Sequence, residues 1–223
     1  MLDAGCGTGR NMLEFAVLGT AAGVDVSPDA VEFCRRRGIE GVQVGEVEAL
    51  PFEDASFDLI LATDVLEHVE DDLVALREMR RVAASGGHLL ATVPAYRWLW
   101  SQHDHAYHHF RRYTLRRLRE RVLAGGWEPV AWSYFNSFLL PPIAALRVLV
   151  RRGEADHGRP DLRLTPPMFN RMLEQPMRAE AALIKRGVRL PGGVSIGMVC
   201  SPRAIPAAPR AARPVAPAPA AGR

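Results

Sequence analysis

The first nine residues, MLDAGCGTG, constrain the fold of this chain more than any other stretch. Leu2 and Asp3 are predicted to end a buried strand. The three glycines of the GCGTG run that follows allow a tight turn in which the backbone can approach a ligand without any Cβ in the way. A helix is predicted to begin at once, near Asn11, so that its N-terminal amides face the ligand. The stretch indicates a nucleotide-type cradle, although dinucleotide dehydrogenases use a similar turn.

Strands and helices alternate along the first half of the chain. After the helix over 11–18, the pattern predicts strands at 22–26, 42–44, 57–63 and 88–93 and helices at 28–37 and 71–84. Ser27 is a predicted N-cap. The run FDLILAT at 57–63 is typical of a parallel strand that is buried on both faces. This order predicts a doubly wound, Rossmann-like α/β fold with a mostly parallel sheet, whose ligands lie at the carboxyl ends of the strands.

The second half is predicted to add two further strands and a helical insertion. Helices are expected at 115–123, 138–152 and 168–186, with a kink or break at Pro176, a loop over 153–167, and strands at 127–134 and 194–200. We therefore divide the chain into a core over 1–137, an insertion or substrate cover over 138–193, a last core strand over 194–203, and a disordered tail over 204–223.

Charge is distributed unevenly over the 223 residues. Residues 1–96 carry a balance of −10 and the remainder one of +13, so the half with the glycine turn is acidic and its ligand need not be a polyanion. The basic half could attract an anionic substrate, nucleic acid or a membrane surface, or could simply carry solvated arginines. Three widely spaced cysteines form neither a zinc pattern nor a disulfide framework, which favours a reducing, cytoplasmic location.

Acidic residues at the predicted strand ends narrow the ligand. Asp25, about twenty residues beyond the glycines, can accept both hydroxyl groups of a ribose, or could serve as an N-terminal helix charge. Glu46 could accept from an adenine amino group, with Val26 and Val47 on either side of the ring. Asp3 suits a ligand with a cationic ammonium group and disfavours a pyrophosphate. An adenosine with an attached cation describes S-adenosylmethionine.

A series of motifs carries a resemblance to a known family. They are LDAGCGTG at 2–9, GVDVSPDAV at 23–31, GEVEALPFEDASFDLI at 45–60, ATDVLEHV at 62–69, GGHLLATVP at 86–94 and RRYTLRRLRERVLAGGWEPV at 111–130. The chain resembles the class I S-adenosylmethionine-dependent methyltransferases, in the group that includes the ubiquinone and menaquinone biosynthesis enzymes (methyltransferase type 11). The resemblance implies a cofactor site formed by Asp3, Ala4, Gly5, Gly7, Asp25, Val26, Glu46, Val47 and Asp64.

The start of the chain departs from the family pattern. Family members carry an upstream helix and a full first strand, whereas Met1 lies inside the predicted strand. We therefore expect a shortened first strand. Three explanations stay open: the start has been assigned too late, the sequence is a fragment, or the protein is a non-catalytic remnant that binds the cofactor.

Methyl transfer to an oxygen can need a general base, and histidine is suited to that role near neutral pH. The candidates singled out are His68, His103 and His109. His105 and His109, with Asp104, could bind a metal in principle, but we predict no metal. Arg111, Arg112 and Tyr113 either anchor the following helix or bind an anion.

The sequence thus predicts an enzyme that transfers a methyl group from S-adenosylmethionine to a small-molecule or lipid-like acceptor. The apolar segment 138–152, flanked by arginines, could touch a membrane surface, although packing on the sheet is favoured. A nicotinamide-dependent oxidoreductase is disfavoured by Asp3. Nucleic acid is disfavoured as a partner because no NPPY-type motif follows the fourth strand. The oligomeric state stays open.

Overall fold

The computed structural model describes residues 1–150 and 167–203, with side chains described for 1–145 and 174–203. Its centre is a seven-stranded sheet in the order β3-β2-β1-β4-β5-β7-β6. The strands are β1 (Leu2–Ala4), β2 (Ala22–Asp25), β3 (Val42–Val44), β4 (Phe57–Thr63), β5 (Ala83–Pro94), β6 (Trp127–Phe135) and β7 (Ser195–Pro202). Strands β1 to β5 pair in parallel, and β7 runs antiparallel between β5 and β6. The predicted doubly wound, mostly parallel sheet is confirmed.

Helices connect these strands. They are α1 (Arg10–Phe15), α2 (Pro28–Arg36), α3 (Asp72–Val82), α4 (Gln102–Ala106), α5 (Leu115–Ala124), α6 (Leu140–Val150) and α7 (Pro167–Lys185). The predicted cap of α2 is confirmed, since Ser27 Oγ accepts a hydrogen bond from Ala30 N at 3.3 Å and Pro28 occupies the first helical position. Helices α6 and α7 follow β6 and precede β7, as the predicted insertion requires.

The core lies against the middle of the sheet. Ile60, Leu61 and Ala62 of β4 have no exposed surface, as expected of a strand covered on both faces. Trp127, at the start of β6, is also fully buried and donates its indole N–H to Leu76 O of α3 at 2.9 Å. This bond satisfies a polar group inside an apolar core, so the large ring stabilises the contact between α3 and the far edge of the sheet.

Several predicted boundaries change in the structure. Strand β5 begins at Ala83, not at residue 88, because Ala83 pairs with Phe57 of β4 and the strand continues through Gly86 and Gly87. The predicted break at Pro176 is wrong, since α7 runs through that residue. The short helix α4 was not predicted. Strand β1 has three residues.

Some predictions concern residues outside this description. The tail over 204–223 and most of the predicted loop over 153–167 lie outside the described residues, as do the side chains of the arginines in the segment 138–152. Among the residues described, none of the helices combines the length and the apolar character that crossing a bilayer would require.

Candidate functional site

The glycine turn after β1 is bonded to the end of β2. The amides of Gly5 and Cys6 donate to Val24 O at 2.8 and 2.9 Å, and Gly7 N donates to Asp25 Oδ2 at 2.7 Å. Gly5 has a φ of +80°, and a Cβ placed there would lie 2.5 Å from a Val65 methyl group. Only glycine fits this position, because both the backbone conformation and the packing exclude a side chain.

A cavity of about 840 Å³ opens over this turn at the carboxyl ends of the strands. It brings together seven of the nine residues predicted to bind the cofactor, namely Gly5, Gly7, Asp25, Val26, Glu46, Val47 and Asp64. Ser27, Glu48, Val65, His68 and Tyr107 complete much of its wall. A volume of this size lies within the range of small-molecule sites. We refer to it as the cofactor cavity.

Asp25 has a structural role in the turn. In addition to the bond from Gly7, its Oδ1 accepts from Ser27 N at 2.9 Å, ahead of α2. Each carboxylate oxygen carries a further lone pair, so both can still accept from a ligand hydroxyl. The carboxylate therefore both holds the turn and faces the cofactor cavity.

Asp3 and Ala4 do not line the cofactor cavity; both are fully buried next to it. Asp3 Oδ1 accepts from Asn11 Nδ2 at 3.3 Å, but its Oδ2 is buried with no hydrogen-bond partner. Burial raises the pKa of Asp3 to about 6. An orphaned carboxylate oxygen next to the turn fits a ligand with a positive charge, as the sequence predicts for the methionine end of the cofactor.

Asp64 joins this cavity to a second one. It follows β4 with a φ of +53°, and its N–H donates to Thr92 O at 3.0 Å. Burial raises the pKa of its carboxyl group. Left-handed backbone at a residue other than glycine is uncommon outside functional sites and turns, and here it places Asp64 in the wall of both cavities.

The second pocket, of about 360 Å³, shares Asp64, His68 and Tyr107 with the cofactor cavity. Its wall includes all three histidines predicted as catalytic candidates, His68, His103 and His109. Burial lowers the pKa of His68. The three histidines that the sequence singles out therefore lie around one space next to the cofactor cavity.

Glu67 also lines the second pocket and was not predicted. It is 1% exposed, and its Oε2 has no hydrogen-bond partner. Burial, with the neighbouring charge of Asp64, raises the pKa of Glu67 to about 8. Its backbone is bonded to a distant segment, since Phe110 N donates to the carbonyl oxygen of Glu67 at 2.7 Å.

The residues before α5 form an anchored network. Arg112 donates to both carboxylate oxygens of Asp104, at 2.7 and 3.0 Å, and Tyr113 Oη donates to Asp72 Oδ2 at 2.7 Å. Arg111 donates to the carbonyl of Glu70 at 2.5 Å. These contacts favour the anchoring role that the sequence left open for this stretch.

The metal set of Asp104, His105 and His109 is not assembled, because His105 Nε2 accepts from the indole of Trp100 at 3.0 Å. Glu67, His68 and His109 do place ligand-type atoms within 4.8 Å of one another. We assign no ion to them, and the predicted lack of a metal stays a prediction.

Comparisons with known proteins agree with this arrangement. Residues 2–91 match the family model of the methyltransferase domain. The chain is 31% identical over 163 residues to ajmaline N-methyltransferase of Rauvolfia serpentina, which covers 66% of this chain and 53% of that enzyme. It is 36% identical over 99 residues to the fatty-acid O-methyltransferase of Mycolicibacterium smegmatis, covering 41% and 36%. The chain thus spans about half or less of the length of these curated relatives.

Solved structures share the fold at low sequence identity. Geranyl diphosphate methyltransferase, solved in complex with S-adenosylmethionine, has a TM-score of 0.59 at 17% identity and covers 90% of this chain and 77% of its own. The cyclase SpnF has a TM-score of 0.57 at 23% identity and covers 91% and 74%. The same architecture therefore occurs under names that describe different reactions, and the reaction has to be argued from the site.

Proposed function

We propose that this chain, whose residues 2–91 match the family model of the methyltransferase domain, is a class I S-adenosylmethionine-dependent methyltransferase that transfers a methyl group from S-adenosylmethionine to a small-molecule acceptor. When bound, S-adenosylmethionine supplies a methyl group that the positive sulfonium has already activated. The protein's part is then to position the two reactants, to exclude water and, for some acceptors, to take up a proton.

The charge of the cofactor cavity is the observation that carries the proposal. Four carboxylates line it, those of Asp25, Glu46, Glu48 and Asp64, and the described residues of its wall include no lysine or arginine. Asp3 adds a fifth, buried beside the turn. Such a cavity suits a ligand with positive ammonium and sulfonium groups and is unfavourable for the pyrophosphate of a dinucleotide.

Individual residues support this proposal. Asp25 would accept from the ribose hydroxyls, and Glu46 from the adenine amino group. Val26, which is 68% exposed, and Val47, which is 8% exposed, offer apolar surface to the ring within the same cavity. Asp3 would stabilise the cationic end of the methionine. The second pocket would hold the acceptor next to Asp64.

The proposal is tested by the release of S-adenosylhomocysteine in the presence of a mixed panel of small amines, phenols and fatty acids. We expect turnover with at least one acceptor. Asp25→Asn should raise the KM for S-adenosylmethionine at least tenfold, because it removes an acceptor for the ribose. Asp29→Asn, an exposed change in the first turn of α2, serves as the matched control and should stay within twofold. An Asp25→Asn enzyme with an unchanged KM would contradict the assignment of this cavity.

We further infer that a lipid-like acceptor, with peripheral membrane contact through 138–152, is the second candidate. Phe138 is 56% exposed at the start of this segment, and Trp98, in the adjoining turn Arg97–Leu99, is 44% exposed. Exposed aromatic rings beside a basic segment suit a lipid headgroup region. Flotation with anionic phosphatidylglycerol vesicles should carry the protein upward, and Phe138→Ser should reduce the floated fraction. Protein that ignores these vesicles and methylates only polar acceptors would exclude this candidate.

A further inference from the structure

Asp104 is a charged group outside the cofactor cavity that several hydrogen bonds hold in place. Its side chain is fully buried. Ser101 N donates to its Oδ2 at 2.8 Å, and Arg112 donates to both of its oxygens. Although burial on its own would raise the pKa of Asp104, the hydrogen bonds from Arg112 lower it to about 2. Asp104 is therefore a carboxylate at every physiological pH, and it can accept hydrogen bonds but cannot donate them.

His109 contacts this carboxylate. The distance from His109 Nδ1 to Asp104 Oδ1 is 2.9 Å. Because Asp104 can only accept, Nδ1 must carry a proton, and in the neutral ring the lone pair then lies on Nε2. The hydrogen bond to the carboxylate thus fixes the tautomer and the orientation of the ring, and Arg112 holds the carboxylate in place. His109 lines the second pocket, and its ring meets that of His68 edge to face with centroids 4.5 Å apart.

Glu67 is an independent sign that the second pocket takes a polar ligand. It is almost completely buried, yet its Oε2 has no protein partner. Buried polar atoms without partners are rare because each costs free energy, and a ligand group is one way to satisfy them. A ring nitrogen of His109 lies within 4.8 Å of a Glu67 oxygen, so one bound group can reach both side chains.

We propose that His109, oriented by Asp104, is the base that accepts the proton of an uncharged hydroxyl group on the acceptor bound in the second pocket; this rests on the proposed methyl transfer. The acceptor oxygen forms a bond to the methyl carbon as the carbon–sulfur bond breaks. The electron pair of that bond stays on sulfur, and the hydroxyl proton moves to the lone pair of His109 Nε2. The imidazolium that forms then loses its proton to solvent.

The acid–base chemistry selects the acceptor class. A neutral amine attacks with its own lone pair and needs no base to form the new bond. A carboxylate has no proton to give, and Asp64 lies in the wall of the pocket that it would enter. A hydroxyl group needs a base, and a phenol, with a pKa of about 10, is far more readily deprotonated by imidazole than an alcohol. The other titratable or charged side chains in the described wall of this pocket are those of His68, His103, Tyr107 and Arg112.

Three naphthalene probes of similar shape test the proposal with the full chain, namely 1-naphthol, 1-naphthylmethylamine and 1-naphthoate. S-adenosylhomocysteine release should be fastest with 1-naphthol. His109→Gln should lower kcat for 1-naphthol at least 100-fold, since general base catalysis contributes a factor of 10² to 10⁴. The KM for S-adenosylmethionine should stay within twofold. His88→Gln, an exposed change in the middle of β5, is the matched control and should leave both constants unchanged.

A measurement that does not depend on turnover follows the imidazole nitrogens by ¹⁵N NMR. His109 should show a protonated Nδ1 and an unprotonated Nε2. Addition of 1-naphthol together with S-adenosylhomocysteine should shift the Nε2 signal. A protonated Nε2, or a signal that 1-naphthol leaves in place, would overturn the proposal. Activity that is lost in EDTA and restored by a divalent cation would also overturn it, because a metal ion would then occupy the lone pair.

Failure of this inference can be told apart from failure of the proposed function. Protein that does not bind S-adenosylmethionine contradicts the function itself. Protein that binds it but leaves 1-naphthol unmethylated contradicts only the inference, whether or not it turns over the amine or the carboxylate. Methylation of 1-naphthol by His109→Gln at the wild-type rate would likewise contradict only the inference.

Discussion

At the scale of single residues, Asp3 is a buried carboxylate that lowers the stability of the fold but suits the binding of a cationic ligand. Its carboxyl group has no exposed surface, and one of its oxygens has no partner. Ionising such a group in the folded protein is unfavourable unless a cation is bound next to it. A fold selected for stability alone would place a neutral side chain there. We therefore propose that the carboxylate is half of an ion pair that the cationic end of the cofactor completes.

We predict that Asp3→Asn stabilises the protein when no cofactor is bound. Burial raises the pKa of Asp3 from 3.8 to about 6 in the folded state. The contribution of Asp3 to stability is thus fully present below about pH 4 and is lost as the pH rises through 6. Asp3→Asn should consequently raise the free energy of unfolding at pH 8 by up to about 3 kcal/mol, with a gain that vanishes near pH 4. Urea unfolding at several pH values measures this.

Asp58→Asn is the matched control for that experiment, because Asp58 is exposed on β4. It should change the free energy of unfolding by less than about 0.5 kcal/mol at any of these pH values. Asp3→Asn should at the same time weaken the binding of S-adenosylmethionine. If Asp3→Asn is less stable than the wild type at pH 8, or if the difference in the free energy of unfolding does not vary with pH, then ionised Asp3 does not destabilise the fold.

At the scale of elements, the end of α7 holds the beginning of α6 in place. Glu180 of α7 is 4% exposed and accepts hydrogen bonds from the backbone amides of Asn136 and Ser137. Asn136 has a φ of +57° and ends the extended backbone of β6. A single buried carboxylate therefore fixes the direction in which the chain leaves the sheet, and with it the position of the predicted substrate cover.

We predict that Glu180→Gln loosens this junction, because an amide has no charge and only one of its two terminal atoms can accept a hydrogen bond. Hydrogen bonds to charged groups contribute about 1.5 to 3 kcal/mol, so amide exchange over Ser137–Leu139 should quicken at least tenfold. Glu174→Gln on the same helix is the control, since Glu174 is 55% exposed. Equal protection of Ser137–Leu139 in both variants would contradict the proposed anchor.

The cofactor side of the site could be predicted at this scale because it depends on local patterns. Asp25 and Glu46 follow short apolar strands, and parallel strands present their carboxyl ends at one edge of the sheet. Seven of the nine predicted residues line the cavity, and the other two, Asp3 and Ala4, lie beside it. Ser27 likewise caps α2 as its sequence context predicts.

The acceptor side could not be predicted in the same way, because it depends on contacts between distant segments. The backbone of Glu67 is bonded to that of Phe110, and the carboxylate of Asp104 is held by Arg112. One local signal was available: Ser101 and Asp104 form a capping box, in the spacing that starts a helix. That pattern would have located α4, but not the bond from His109 to Asp104.

At the scale of the whole molecule, the acidic and basic halves of the chain supply different side chains to the two cavities. The acidic first half supplies the carboxylates of the cofactor cavity, whereas Arg112 and the histidines of the second pocket come mainly from the basic half. Asp64, His68 and Tyr107 belong to both cavities, so a methyl group at that junction would be within reach of an acceptor. The fold thus places two cavities with different side chains at one edge of the sheet.

The acidic cofactor cavity should select a cationic adenosine cofactor over a dinucleotide, and the proposed function depends on this selectivity. Isothermal titration calorimetry of the full chain with S-adenosylmethionine, and separately with NAD⁺, tests it most directly. We predict one S-adenosylmethionine bound per chain, at least tenfold weaker binding by Asp25→Asn, and no measurable binding of NAD⁺. Binding of NAD⁺ in preference to S-adenosylmethionine, or no binding of S-adenosylmethionine at all, would contradict the proposed function.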